Sequence, residues 1–433
     1  MAAPPPAAAA AAAGAAARGS PVAHEMAAEE PSGTSEAPGE ALRASLCPPG
    51  PLAAPRAAGG SSYLAACRAC GVSPASCLLR RPPGTAISLR HRGLGPRGAK
   101  ALSLSLVADT SIIKLDLGDN WLLGEGAAAI AEMLRENCYI SDVNLSDNKL
   151  GTEGAKALSA MLLENNTIVS LQLSGNEFDD HAAKYLADAI TANSKVEILD
   201  LSYNRFGDKA GEVLGMAIAE NIGLKELKIS WNHFHSEGAA ALARGLGANI
   251  FLKVLDVSYN GFDNSGAAAL GEALKTNNVL EELNISNNRI SVEGALQFAV
   301  GLKENKTLKT LNMIRNPMQN EGCCGVLKAL QANPGTGVEI LDLPDIPVSK
   351  EFAELCDAVK ILFPNLLLRH GGNTKLQRKS QLKVELQTQM KVSCPLQSSL
   401  DMAGAAWGRT TSDSCLNLGS ISGLKETPPL SQQ

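Results

Sequence analysis

What the chain lacks narrows the field first. No run of about 18 apolar residues offers a membrane span, so a soluble protein is expected. With 39 Lys and Arg against 44 Asp and Glu, net charge −5, there is no basic excess to displace counterions from a phosphate backbone, and no nucleic-acid partner is expected. Ten cysteines scattered over 433 residues form no dense framework, which fits free thiols in a reducing compartment. Cys67 and Cys70 make a CxxC with Cys77 beyond it, but no second ligand pair follows, so no metal is expected. The six histidines form no spaced pair with a nucleophile, and no GxxxxGK(S/T) loop is present, so neither catalytic residues nor a cofactor are expected. The Ala/Pro-rich first 20 residues carry no charge before Arg18 and no Leu-rich core, unlike a secretory signal, and a cytoplasmic protein is expected.

What is present is a period. Asparagine stands at Asn120, Asn148, Asn176, Asn204, Asn232, Asn260, Asn288 and Asn316, 28 residues apart without a slip. Five residues before each Asn stands Leu115, Val143, Leu171, Leu199, Leu227, Leu255, Leu283 or Leu311, and three before it Leu117, Leu145, Leu173, Leu201, Ile229, Val257, Ile285 or Met313. A separation of two puts both columns on one side of a short strand. Two residues after the Asn, Leu122, Leu150, Phe178, Phe206, Phe234, Phe262, Ile290 or Met318 carries the buried row through a turn.

A helix is predicted next. Four residues past the Asn stand Thr152, Asp180, Asp208, Ser236, Asn264 and Asn320, residue types that cap a helix start. Pairs such as Leu158/Leu162, Leu186/Ile190 and Leu214/Ile218 then make an i, i+4 apolar stripe. Seventeen past the Asn a second asparagine column, Asn137, Asn165, Asn193, Asn221, Asn249, Asn277, Asn305 and Asn333, suits the left-handed residue that ends a helix. Ile87 and Leu89 open an edge unit with Arg92 in the Asn slot; Leu341 and Leu343 open a closing unit, about two residues late, with Ile346 there. About ten units result, with Tyr63 to Leu79 as an N-terminal cap for the open core. Residues 1–62 and 371–433, rich in Ala, Pro, Ser and Gln, are expected to be disordered around a repeat domain at 63–370.

The unit LxxLDLSxNxFxxxGAxALAxALxxN, fullest from Leu255 to Asn277, resembles the ribonuclease-inhibitor class of leucine-rich repeats, over roughly residues 63–370. The plain architecture with short tails looks most like the leucine-rich repeat-containing protein seventy-four group. The resemblance implies an α/β solenoid shaped as a horseshoe, with parallel strands on the concave face and helices on the convex one. It also implies work by holding a protein partner, and the activating protein of the Ran GTPase, in the same class, suggests the alternative of a small-GTPase activator. That alternative is fold-level analogy, and the long acidic tail of that family is missing here.

Side chains between the buried columns are free to vary and carry any specificity. Tyr203, Trp231 and Tyr259 occupy one column in three successive units, in a chain with eight Tyr and Trp in all, and should stack as a ridge. Arg205, His233 and Arg289 flank them, the chemistry of interface anchors; the alternative is a ridge that merely packs against its neighbours. Asp116 and Asp119, with Trp121, Asp142 and Asp147 nearby, form an acidic patch toward the N-terminal end, for which a solvated face is the preferred account. The Asn ladder is assigned to structure: its amides satisfy backbone groups where each strand turns away. The adjacent Cys323 and Cys324 replace Ala in a helix start, and four N-x-(S/T) sequons, at Asn144, Asn165, Asn284 and Asn305, arise from the repeat formula itself. Lys375 to Lys391 could form a short amphipathic helix touching a membrane or an acidic partner, or be a tail with incidental spacing. One unidentified protein partner on the concave face of a monomer is the expectation.

Overall fold

The computed structural model describes residues 58–80, 84–347 and 349–371. Two helices, α1 (Ala58–Cys70) and α2 (Ser76–Leu79), precede β1 (Ala86–Ser88) and α3 (Gly95–Leu106). Strand and helix then alternate: β2 (Lys114–Asp116), α4 (Leu123–Glu136), β3 (Asp142–Asn144), α5 (Gly151–Leu162), β4 (Ser170–Gln172), α6 (Asp180–Ala192), β5 (Ile198–Asp200) and α7 (Asp208–Glu220). The series continues through β6 (Glu226–Lys228), α8 (Ser236–Ala248), β7 (Val254–Asp256), α9 (Asp263–Thr276), β8 (Glu282–Asn284) and α10 (Val292–Leu302). It closes with β9 (Thr310–Asn312), α11 (Gln319–Gln331), β10 (Ile340–Asp342), α12 (Lys350–Leu362) and β11 (Leu367–Arg369).

The 11 strands form one parallel sheet in chain order. Equivalent columns face each other, as in Leu199↔Leu227 and Leu227↔Leu255. The late closing unit is absorbed without loss of register, Leu311 pairing with Leu341. In each strand the middle residue is buried, and except at the buried Asn144 of β3 its neighbours look outward, so Leu227 and Ile229 are each 1% exposed while Glu226 and Lys228 reach solvent. The helices bury their stripes against the other side of the sheet. Strands about 4.8 Å apart and helices roughly 8–10 Å apart cannot stack straight, and the solenoid bends toward its strands as a horseshoe.

The ends are covered. Tyr63 and Cys67 of α1 are buried at the N-terminal end, the Tyr63 hydroxyl accepting from Ala75 N at 3.1 Å. Phe352 of α12 is buried at the other end, and Ser349 caps that helix through Phe352 N. Residues 1–57 of the expected N-terminal disordered segment, all but Gly371 of the C-terminal one and the whole amphipathic stretch 375–391 lie outside the described residues; residues 58–62, expected to be disordered, instead open α1. No helix among the described residues is long and apolar enough to cross a membrane.

The first Asn column forms a continuous ladder. Asn204 Nδ2 donates to Leu173 O, Leu201 O and Ser202 O, while its Oδ1 accepts from Asn176 N and Phe178 N of the preceding unit. Buried backbone groups left by the turning strand are thereby paired. At the first unit, where Arg92 replaces Asn, Asn120 Oδ1 still takes Arg92 N and Leu94 N.

Two local expectations are corrected. The second Asn column is not left-handed: Asn221 has φ −69° and Asn249 φ −76°, extended backbone. It is a second ladder on the opposite edge. Asn221 Nδ2 donates to Ile190 O and Asn193 O of the preceding unit, and its Oδ1 accepts from Gly223 N and Leu224 N. The sequon residues Asn165 and Asn305 belong to this ladder and are buried.

The column four past the first Asn does not cap its own helix either. Asp180 Oδ1 accepts from Gly207 N and Ala210 N, at the start of the next helix, α7. Asp208 does the same for His235 N before α8, and Asn264 for Ser291 N before α10. Thr152 and Ser236 donate forward instead, to Asp179 and Asp263. The residue one place earlier, Asp179, is the side chain that caps its own helix, through His181 N and Ala182 N.

Along α7 to α10 the helices meet through small residues. A Cβ on Gly211 would lie 2.6 Å from Gly238 Cα, and one on Gly215 2.5 Å from Ala241 O. No side chain fits there, and the helix backbones draw together.

Candidate functional site

The left-handed residues lie on either side of the first Asn ladder, where each strand ends. The residue just before the Asn has φ 51° at Asp119, 58° at Asp147, 69° at Gly175 and 54° at Asn287. Gly, Asn and Asp tolerate that conformation; bulky side chains seldom do. Yet the same column holds Tyr203 at φ 55°, Trp231 at 54° and Tyr259 at 53°. Each such residue costs on the order of 1 kcal/mol relative to one suited to the region. Three consecutive large rings thus stand on backbone that favours smaller residues.

The rings stack. Tyr203 and Trp231 have centroids 5.2 Å apart and planes 13° apart; Trp231 and Tyr259 stand 3.9 Å and 10° apart. Tyr203 is 59% exposed and Trp231 44%. The stack ends on an arginine from two units further along: Arg315 Nη1 donates to the Tyr259 hydroxyl, and its Cζ lies 5.9 Å from the Tyr259 ring centre. That arginine is also left-handed, at φ 56°.

The flanking cations behave differently from one another. Arg205 turns to Glu177, Nη2 to Oε2 3.1 Å. His233 and Arg289 are exposed at the rim, Arg289 with φ 60°. Beneath the rim on the strands, Lys228 pairs with Glu226 at 2.5 Å, and that hydrogen bond raises its pKa, with Asp200 and Asp256 adding to the effect.

Toward the N-terminal end the acidic residues have partners within the chain. Asp116 Oδ2 accepts from Ser88 Oγ at 3.1 Å, Asp119 meets His91 Nδ1 at 2.6 Å, and Asp142 meets Lys114 Nζ at 2.9 Å. Among the described residues Asp147 pairs with Arg90, 3.7 Å away. Trp121, 56% exposed, lies under Lys149, whose Nζ is 3.9 Å from the ring centre. The structure thus separates Asp116, Asp119 and Trp121 from the ridge of Tyr203, Trp231 and Tyr259.

Sequence reasoning placed Asp147 in the acidic patch and did not join it, Gly175 or Arg315 to the ridge: Arg315 ends it, and Gly175 and Asp147 lie beyond its open end. The signal was the column itself, whose Asp, Gly and Asn members mark it as left-handed. Cys323 and Cys324 are buried, and burial pushes the Cys323 thiol up to about 12, the behaviour of packing groups and not of nucleophiles.

Comparison with known proteins agrees with this architecture. A family profile described as Leucine Rich repeat matches seven successive segments, residues 108–131, 136–159, 164–187, 192–215, 220–243, 248–271 and 276–299. Over short stretches the chain is similar to leucine-rich repeat-containing protein 74B, with 50% identity over 50 residues to the Mus musculus protein and 57% over 44 to the Homo sapiens one. Those stretches span 12% and 10% of this chain, and 13% and 11% of the curated relatives' own lengths. Among solved structures, one titled leiomodin-1 actin-binding site 2 has 21% identity, TM-score 0.28, and covers 37% of this chain and 88% of that one. The tropomodulin C-terminal domain of Caenorhabditis elegans has 15% identity, TM-score 0.27, and covers 37% and 90%. At such scores neither structure carries an argument about this chain. None of these matches supports the GTPase-activator alternative.

Proposed function

We infer that this chain, a leucine-rich repeat protein, is a non-enzymatic scaffold that holds a protein partner against the rim and concave face of its horseshoe. The observation that carries this is the ridge of Tyr203, Trp231 and Tyr259, exposed at its first two rings and half-buried at the third, on backbone that favours Gly or Asn. Large rings presented rigidly lose little entropy on binding and supply most of the energy at protein interfaces. A ridge that served packing alone would gain nothing from being more than half solvated at Tyr203. In this reading the protein acts as a monomer in the cytosol.

The test is affinity capture from cell extract with the full chain and with a Tyr203→Asn, Trp231→Asn, Tyr259→Asn variant. Asn is chosen because Asn287 occupies the same column at φ 54°, so the fold is kept while the rings go. The expected outcome is that a partner seen with the wild type disappears with the variant. An identical set of captured proteins for both chains would refute the ridge as the binding surface.

A further inference from the structure

The ring column is closed at one end and open at the other. At its C-terminal end the chain's own Arg315 lies against Tyr259 and donates to its hydroxyl. At its N-terminal end the next place beyond Tyr203 belongs to Gly175, which offers no side chain. The carboxylate of Asp147, one unit further, leans into the space a Cβ on Gly175 would take. The result is a notch with an aromatic face on one side and a carboxylate on the other.

The chain's nearby cations do not fill it. Lys149 is drawn over Trp121 and Arg205 to Glu177. Arg90 reaches Asp147 at Oδ2, 3.7 Å away, while Oδ1 lies over Gly175. The stacked rings stand 3.9 Å and 5.2 Å apart, the spacing at which a single planar group lies on a ring face, and beyond Tyr203 the column offers a carboxylate in place of a ring. A guanidinium is planar, stacks on aromatic faces and hydrogen-bonds a carboxylate at its edge; an ammonium cannot do the first two together.

We propose, resting on the scaffold reading above, that the partner presents an arginine which stacks on Tyr203 in the notch over Gly175 and pairs with Asp147. The partner segment is therefore basic at its anchor.

The test is selection of a random dodecamer peptide library on phage against the full chain, followed by binding measurements on the Tyr203→Asn, Trp231→Asn, Tyr259→Asn chain, which reads dependence on the rings, and on two further variants. Gly175→Tyr extends the ring column into the notch, in a position where the next unit already carries Tyr; Asp147→Asn keeps the shape and removes the charge. Selected peptides are expected to be enriched in arginine at one position, and to lose about tenfold in affinity for each variant. Replacing that arginine by lysine should cost a similar factor. Peptides that need the three rings but show no arginine preference, or that bind both variants as well as the wild type, overturn the arginine proposal and leave the scaffold reading intact. Selection of peptides none of which depends on the rings overturns both.

Discussion

Replacing Asn204 by Ala removes five hydrogen bonds, but they do not count equally. The three carbonyls that lose Nδ2 keep another donor: Leu173 O retains Asn176 Nδ2, Leu201 O retains Asn232 Nδ2, and Ser202 O retains Gly175 N. The two amides that lose Oδ1, Asn176 N and Phe178 N, have no second acceptor among the described contacts. Two buried amides at about 1–3 kcal/mol each give roughly 2–6 kcal/mol, and a water in the polar space left by the side chain would trim that toward about 3 kcal/mol. Asn204→Asp keeps an acceptor for both amides but turns a charge toward three carbonyl oxygens, so at neutral pH it should destabilise more than Ala. Urea unfolding followed by far-ultraviolet circular dichroism gives the global loss. Hydrogen exchange at Asn176 and Phe178 gives the local one, which matters because repeat arrays need not unfold in one step. A loss under about 1 kcal/mol with both amides still protected, or an Asp variant milder than Ala, would refute this account of the ladder.

Two further perturbations follow from contacts between units. Asp180→Ala should cost about 1 kcal/mol and speed exchange at Gly207 and Ala210, in the unit after its own; loosening confined to α6 would show that the cap is not shared forward. Glu281, hydrogen-bonded by Lys253 and Lys309, has its carboxyl lowered from 4.5 to about 2. A lowered folded-state value means its stabilisation is present above the unfolded value of 4.5 and lost as pH falls through about 2. The stability gap between wild type and Glu281→Gln, read by urea midpoints, should thus be level from neutral pH to about 5 and close toward pH 2. A gap that does not depend on pH would exclude this ion-pair cluster as its source.

The fold was legible because its information is periodic. One Asn every 28 residues with apolar positions five and three before it fixes strand, turn and register at once, and both ends behaved as edge units. What was misread has a common cause: composition reports which residue type a position favours, not which unit its side chain serves. Asp180 and Asp208 look like caps for the helices they open, and they do accept from helix-start amides, but those of the neighbouring unit. Asn221 looks like a left-handed terminator, yet it is extended and spans two units with its amide. The aromatic column was visible in spacing alone; its left-handed backbone was hidden because three of its eight members are rings and mask the Gly, Asn and Asp signal of the rest. The contact of Arg315 with Tyr259 spans 56 residues and could not be read from any single period.

The glycine contacts between α7, α8 and α9 have a consequence on the far side of the sheet. Each unit is a wedge, thick at its helix and thin at its strand, and the difference tilts one unit against the next. Where Gly211 meets Gly238 and Gly215 meets Ala241, the thick side is pared down and the tilt lessens. These helices follow Asn204, Asn232 and Asn260, the units that carry Tyr203, Trp231 and Tyr259. Narrow wedges keep the planes of those three rings nearly parallel, 13° and 10° apart. Bulk added on the outer surface, at Gly211 or Gly215, would fan the rings apart from a distance, so the alignment of the aromatic ridge is set by residues that never touch it.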